Sequence, residues 1–375
     1  MVYKSSFCGD IIEMPFISVD NFNNLDRSGY FLSHYHSDHI CGLYTDDLYK
    51  NLVENNVFIY TSEVTAAIIQ QNEPKLKEHI RGLKLGTNTV SIRNNDNDEI
   101  FSVILLPAGH CFGSVMFLFK INNKTILYTG DFRISRNGVS KFTHFHTKSG
   151  DPIAVDSMYV DTTFQNVSDF PTRMETVENV ILEIKKWIDK SDKHSVALHT
   201  SANYGYEYAF NQIYENVGMK VYVPDQKIWA VYSQFKNVLP GVTSSYESTR
   251  IHICRNRNER ESHKHCVPNG ENNIYLYVHF SAMIWKDYGE DETLMKQSDN
   301  RVNVCFATHS SRSELVNFIY YLSPKRIVGF PNDFVKTPVK CNNDFSVSSK
   351  KRRVPFNLNN KVGTKVPKHI LDDIF

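Results

Sequence analysis

The sequence predicts an α/β protein in two parts, a strand-rich metal-binding half and a compact insertion in which helices and strands alternate. Two observations carry this expectation. Three apolar strands each end in a side chain of metal-ligand type: Gly29–Ser33 runs into His34, Val103–Pro107 into His110 and Thr125–Tyr128 into Asp131. That arrangement is expected when one edge of a sheet sandwich holds metal ions. Beyond about residue 157 the hydrophobic period changes, and strands and helices alternate until a last strand returns to His309.

The most informative stretch is Ser33-His34-Tyr35-His36-Ser37-Asp38-His39. Neutral imidazole and carboxylate suit zinc and similar divalent ions. Side chains alternate along a strand, so His34 and His36 leave its end on the same side. Asp38 and His39 follow in a turn and can face a second ion. His110 lies between Gly109 and Gly113, which let backbone approach the metals closely. Asn122-Asn123 marks a β-hairpin between Met116–Ile121 and Lys124–Tyr128, and Asp131 follows its second strand.

In the insertion, Thr172 and Glu175 form a capping box. Val177, Ile181, Ile184 and Ile188 then recur at helical spacing, the apolar face of a helix that docks on a sheet. Val196–Thr200 and Lys220–Pro224 read as strands flanking a second helix around Tyr206–Tyr214. Strand Val302–Phe306 leads back to His309. Ser311 and Glu314 cap a last helix carrying Leu315, Phe318, Ile319 and Leu322, which Pro324 stops. No internal repeat is found.

The 375 residues suffice for two domains, and the formal net charge of +1 leaves a basic groove balanced by acids elsewhere as an option. Seven scattered cysteines argue against a disulfide framework. No signal-peptide pattern opens the chain and no apolar run is long enough to span a bilayer, so an intracellular protein without a membrane partner is expected.

Ligand types alone suggest a division of labour. His34, His36 and His110 are assigned to one ion and Asp38 and His39 to another, with Asp131 between them. Two cations bridged by a carboxylate bring the pKa of bound water toward ~7, and a second metal roughly 4 Å away neutralises phosphate oxygens. Asp20 is read as orienting a ligand or its loop.

These residues carry a resemblance. Asp20 in Ile17-Ser-Val-Asp20, the His34–His39 run, His110 and Asp131 resemble the first four motifs of the metallo-β-lactamase fold. Tyr30–His34, Leu105–Cys111, Gly113–Phe119, Leu127–Arg133, Val160–Phe164, Tyr204–Tyr208 and His309-Ser-Ser closely resemble the β-CASP DNA-repair nucleases of that superfamily, over about residues 10–335. The resemblance implies a metallo-β-lactamase αββα sandwich from residues 1–157 plus 306–335. It implies an inserted β-CASP α/β domain over 158–305, an active site in the cleft between them, and a basic, weakly structured tail over 336–375.

It further implies a metal-dependent nuclease using zinc, magnesium or manganese. The expected actions are 5′-to-3′ exonuclease and structure-selective endonuclease cleavage of DNA hairpins, overhangs and single-stranded ends, in end joining or crosslink repair. A DNA-dependent protein kinase and end-joining factors would be partners of a monomeric nuclear enzyme. Asp161 matches the first β-CASP motif, which supports a metal-ligand histidine by hydrogen bonding. His309 matches the second and would approach the scissile phosphate as proton donor or charge stabiliser. The third motif position is histidine in RNA nucleases and valine in DNA nucleases; here it falls on Pro331, and the absence of histidine keeps DNA ahead of RNA.

Family members also carry a structural zinc in the insertion. His252, Cys254 and Cys266 match its ligands, whereas the fourth position falls on Tyr222, so the site is either lost or completed by His263 or His265. Nearby Arg255, Arg257 and Arg260 form a phosphate-contacting loop or a solvated face. Lys350-Lys-Arg-Arg353 reads as a nuclear localisation signal or a loose DNA-binding arm. DNA-repair members continue into a regulatory tail that binds partners; the sequence ends at Phe375, which puts recruitment through such a tail in doubt. The alternatives are a β-CASP RNA-processing nuclease and a catalytically silent DNA-end scaffold, the latter predicting eroded ligands. An insertion that roofs the site disfavours small-substrate hydrolysis.

Overall fold

A computed structural model describes residues 5–95, 97–254, 267–268, 272–285, 293 and 295–336. Strands β1 (Ile17–Val19), β2 (Gly29–Leu32) and β3 (Ile59–Ser62) are buried at every position, as parallel strands covered on both faces must be. With β4 (Ile80–Leu83) they form a four-stranded parallel sheet in the order β1-β2-β3-β4. Helices α1 (Asp46–Glu54) and α2 (Glu63–Asn72) start where the Thr45 and Ser62 hydroxyls accept from the N–H groups of Leu48 and Thr65.

A second sheet is built from β5 (Gly86–Asn94), β6 (Asn97–Pro107), β7 (Val115–Ile121), β8 (Lys124–Tyr128), β9 (Ser157–Asp161) and the late strand β17 (Arg326–Phe330). The β7–β8 hairpin turns at Asn122-Asn123, both at positive φ, as their sequence predicts. Alternation along β7 divides the core. Phe117 and Phe119 face Phe31 between the sheets, whereas Met116 and Leu118 face outward. That outer face is covered by Leu315, Phe318, Ile319 and Leu322 of helix α6 (Arg312–Leu322). On the far side Leu48, Leu52 and Ile69 cover Tyr30, Leu32 and Ile59. Helix, sheet, sheet, helix is the αββα order expected.

The insertion holds α3 (Arg173–Ile188), β10 (His194–His199), α4 (Glu207–Val217), β11 (Val221–Tyr222), α5 (Gln226–Tyr232), β12 (Val242–Thr243), β13 (Ile251–Cys254), β14 (Ile274–Ser281), β15 (Met295–Ser298) and β16 (Arg301–Cys305). They form a seven-stranded sheet, order β12-β11-β13-β10-β14-β16-β15, parallel except for β15. The predicted capping boxes at Thr172/Glu175 and Ser311/Glu314 are both formed. The chain leaves the second sheet after Asp161 and returns after Cys305, and a bridge between Phe164 and Ser311 ties the two crossings. This brings Asp161 and His309 side by side. No helix among the described residues is long and apolar enough to cross a membrane. The tail, with Lys350–Arg353, lies outside the described residues apart from Lys336.

Candidate metal centre

Residues just beyond β1, β2, β6, β8 and β9 of the packed sheets meet His309, which follows β16 of the insertion. Their close approach depends on Gly130. Its φ is +53°, and a Cβ there would stand 2.5 Å from Ser33 Oγ, so only glycine lets β8 deliver Asp131 beside the end of β2.

The chain brings all six proposed ligands together. One group comprises His34, His36, His110 and Asp131, and another Asp38, His39 and Asp131, with ligand atoms inside each group within 4.8 Å of one another. Asp131 belongs to both. Its Oδ2 lies 3.6 Å from His34 Nε2, 3.6 Å from His110 Nε2 and 3.2 Å from His39 Nε2. Asp38 Oδ2 stands 3.5 Å from the same His39 nitrogen.

Hydrogen bonds to the outer ring nitrogens fix which atoms face inward. His36 presents Nε2–H to the Tyr204 carbonyl at 3.1 Å, and His110 presents Nδ1–H to the Thr308 carbonyl at 3.0 Å. A carbonyl only accepts, so in the neutral rings His36 Nδ1 and His110 Nε2 carry lone pairs, and these face each other at 2.9 Å. Two lone pairs do not stabilise one another; a shared cation satisfies both. His34 Nδ1 lies 3.0 Å from Ser33 Oγ, while its Nε2 is buried without a hydrogen-bond partner. Among buried polar groups such an orphan is uncommon. The donor set therefore fits a divalent cation at His34, His36, His110 and Asp131, and a second at Asp38, His39 and Asp131.

Asp20 faces neither position with a spare lobe. It accepts from the Ser33 N–H (2.7 Å), the Ser33 hydroxyl (2.6 Å), the Tyr128 hydroxyl (2.8 Å) and His39 Nδ1 (2.8 Å). It thereby turns His39 Nε2 toward Asp38 and Asp131. Asp20→Asn replaces an accepting oxygen with an NH2 that cannot receive the His39 proton. Affinity at the Asp38/His39 position should then drop about 10–100-fold. A manganese titration of the variant checks this, and wild-type affinity would refute the orienting role.

Electrostatics agree with ligand duty. Burial, reinforced by neighbouring imidazoles, holds His34 and His110 well below the usual histidine value, so both are neutral. Burial also lowers His36. Burial opposes protonation of His39, but the Asp131 and Asp20 carboxylates outweigh it and hold His39 well above its usual value. An ion binding there displaces a proton. Burial works to raise Asp38, yet its hydrogen bond and charge pairing with His39 hold it below the ordinary carboxylate range.

Asp161 pairs with a histidine outside the six-ligand set, and Asp131, Asp161 and His309 form a further group whose ligand atoms lie within 4.8 Å of one another. Asp161 accepts from His309 Nδ1 at 2.8 Å and from the Thr163 hydroxyl and N–H. Burial opposes the His309 charge, but Asp161 and Asp131 raise its pKa to about 9. Pro331 follows β17, and the neighbouring Phe330 carbonyl accepts from the Thr162 N–H, so the third motif position adjoins Asp161. The sequence offered no signal for the Tyr204 and Thr308 carbonyls, because any residue supplies a carbonyl. Tyr128 and Ser33 were legible only as strand residues.

The second predicted site is placed only in part. His252 and Cys254 lie on one face of β13, both buried. Tyr222 registers beside His252, and its ring meets Tyr246 with centroids 6.1 Å apart. His199, which sequence reading passed over, registers beside Cys254. Among the described residues, His199 Nε2 and His252 Nε2 are both buried without a hydrogen-bond partner. Among the described residues, however, no three ligand atoms close around His252 and Cys254 within 4.8 Å. Cys266, His263, His265, Arg255, Arg257 and Arg260 lie outside the described residues.

Comparison with known proteins follows the same lines. Residues 236–332 match a family model described as DNA repair metallo-beta-lactamase. The chain is 34% identical over 348 residues to protein artemis of Homo sapiens, covering 88% of this chain and 49% of that protein. It is 33% identical to protein artemis of Danio rerio, covering 88% of this chain and 53% of the relative. The 5′ exonuclease Apollo of Rattus norvegicus is 26% identical over 85% of this chain and 54% of its own length. The chain thus spans about half the length of these relatives. A crystal structure of a protein of unknown function from Enterococcus faecalis V583 shares the fold, with TM-score 0.52 and 14% identity, covering 80% of this chain and 75% of that one.

Proposed function

Because the chain belongs to the metallo-β-lactamase/β-CASP family and is homologous to the artemis proteins, we propose that it is a metal-dependent nuclease that hydrolyses phosphodiester bonds of DNA in DNA repair. The observation that carries this reading is Asp131, one carboxylate shared by two complete ligand groups. A silent scaffold has no use for both groups intact.

Bound divalent ions supply Lewis acidity toward water and phosphate oxygens. Zinc, magnesium and manganese all suit these donors. The chain's own contribution is orientation and proton handling. Asp20, Tyr204 and Thr308 hold the imidazoles, while Asp161 accepts from His309 Nδ1 and favours its charged form. A charged His309 beside the ligands is suited to stabilise a phosphate oxygen or protonate a leaving oxygen.

The finer reading is 5′-to-3′ exonuclease and structure-selective endonuclease action on hairpins, overhangs and single-stranded ends. Its setting is end joining or crosslink repair in the nucleus, by a monomer working with a DNA-dependent protein kinase and end-joining factors. Support comes from the artemis likeness and the name of the Apollo relative. A structural zinc at His252, Cys254 and Cys266 belongs to the same reading, supported by the two orphaned histidine nitrogens. The second enzyme reading is RNA processing, which Pro331 in place of histidine disfavours.

The test uses strand-labelled DNA hairpin, 5′-phosphorylated single-stranded DNA and matched RNA with magnesium or manganese. Wild type should cut DNA, and Asp38→Ala, which removes a ligand but not the groove, should cut none. RNA-only cleavage would move the protein to RNA processing. A two-ion protein that cuts nothing would contradict the nuclease reading.

A further inference from the structure

The segment before β1 carries no recognised motif, yet it reaches the metal centre. Ser6 Oγ lies 3.1 Å from His39 Nε2, the nitrogen that faces Asp131 at 3.2 Å and Asp38 at 3.5 Å. The Ser6 N–H donates to the Asp38 carbonyl at 3.3 Å. Both polar contacts of Ser6 thus go to the ligand loop. We propose that Ser6 is a residue of the metal centre, its hydroxyl oxygen contacting the ion held by Asp38, His39 and Asp131.

Three features support this. The segment is anchored. Phe7 is buried, its ring packs on Tyr128, Tyr159 and Phe330, and its carbonyl accepts from Asn21 Nδ2. Two residues on, the Gly9 carbonyl accepts from the Val19 N–H, and a Cβ at Gly9 would lie 2.3 Å from Ser18 Oγ. The hydroxyl is held in place by neighbours that do not depend on an ion. Tyr128 links the two, since its ring packs at a tilt against Phe7 and its hydroxyl donates to the same Asp20 that aims His39.

The second feature is the direction of His39. Its Nδ1 is committed to Asp20, which turns Nε2 toward Asp131, Asp38 and Ser6 Oγ alike. An ion taken up by Asp38, His39 and Asp131 would therefore lie beside the Ser6 hydroxyl oxygen. The third is donor chemistry. Asp38, His39 and Asp131 supply three ligands, and a neutral hydroxyl adds a hard oxygen donor. The Asp38/His39 position is thereby tuned toward magnesium or manganese, in contrast to the three-imidazole position opposite.

This inference rests on the two-ion reading above, and metal binding tests it without using cleavage. Wild type titrated with manganese, read by calorimetry and by the resonance signal of free Mn2+, should bind one tight and one weaker ion at the centre. Ser6→Ala should leave the tight ion unchanged and weaken the other about tenfold, with an unaltered melting temperature. Ser6→Cys titrated with cadmium should develop an ultraviolet thiolate-to-metal band beyond that of wild type, because a sulfur that touches the ion becomes its ligand. Two ions bound equally well by Ser6→Ala would overturn the proposal, as would second-ion cadmium binding by Ser6→Cys without the extra band. A wild type that binds one ion would overturn both this inference and the two-ion reading. Two bound ions without cleavage would overturn only the nuclease reading.

Discussion

Asp131→Asn should lose cleavage by a factor on the order of 10³ or more. The substitution keeps shape and volume and removes one negative charge from the residue that both ligand groups share. Asp38→Ala strips one group of one donor, whereas Asp131→Asn weakens both at once. Asp131 Oδ2 stands within 3.6 Å of ring nitrogens from His34, His39 and His110, so its charge is what allows two cations to lie close together. The measurement is single-turnover cleavage of the labelled hairpin alongside a manganese titration. Both ion affinities should fall while the circular dichroism spectrum stays that of wild type. A variant that keeps both ions and more than a tenth of the rate would refute the shared-carboxylate account.

The largest stability effect is expected at Arg133, two residues beyond Asp131. Its Nε donates to Glu314 at 3.2 and 3.3 Å, Nη1 to the Ala307 carbonyl at 3.0 Å and Nη2 to the Pro171 carbonyl at 2.8 Å. Side-chain exposure is only 6% for Arg133 and 9% for Glu314, so solvent screens the pair little. Pro171 lies on the outgoing crossing to the insertion and Ala307 on the return. One guanidinium thus pins both chain crossings to the strand end that carries Asp131. Arg133→Ala leaves Glu314 buried with its Ser311 donors but without its cationic partner, removes the donors to two carbonyls, and should cost about 3–5 kcal/mol. Urea unfolding measures it. Arg133→Ala combined with Glu314→Gln should lose less than the sum of the two single changes, because the second substitution removes the stranded charge. A loss below about 1 kcal/mol, the size typical of an exposed pair, would show that the network contributes little.

Much of the architecture follows from local rules. The Thr172/Glu175 and Ser311/Glu314 boxes, the Asn122-Asn123 turn and the alternation of Met116–Phe119 concern neighbours in the chain, where sequence spacing dictates geometry. The His34–His39 run was legible for the same reason: four ligand-type residues within six positions place themselves together wherever the chain goes. Asp20 was legible as a support but not in its partners, since Tyr128 lies 108 residues away.

The insertion's share of the site could not be read in this way. His36 and His110 are aimed by carbonyls of Tyr204 and Thr308, 168 and 198 residues distant, and a backbone carbonyl leaves no mark in residue type. Asp161 was expected to support a metal-ligand histidine, but which one could not be read. Its partner His309 lies 148 residues on and reaches it only where the chain leaving β9 meets the chain returning from the insertion. Ser6 and Arg133 belong to the same class. The sequence by itself determined which chemistry the chain carries, because ligand types, caps and periodicity are local properties. The tertiary structure decided which atom of each histidine faces inward, and which distant groups hold it there. Those choices depend on hydrogen bonds between segments that only the closed fold brings within reach.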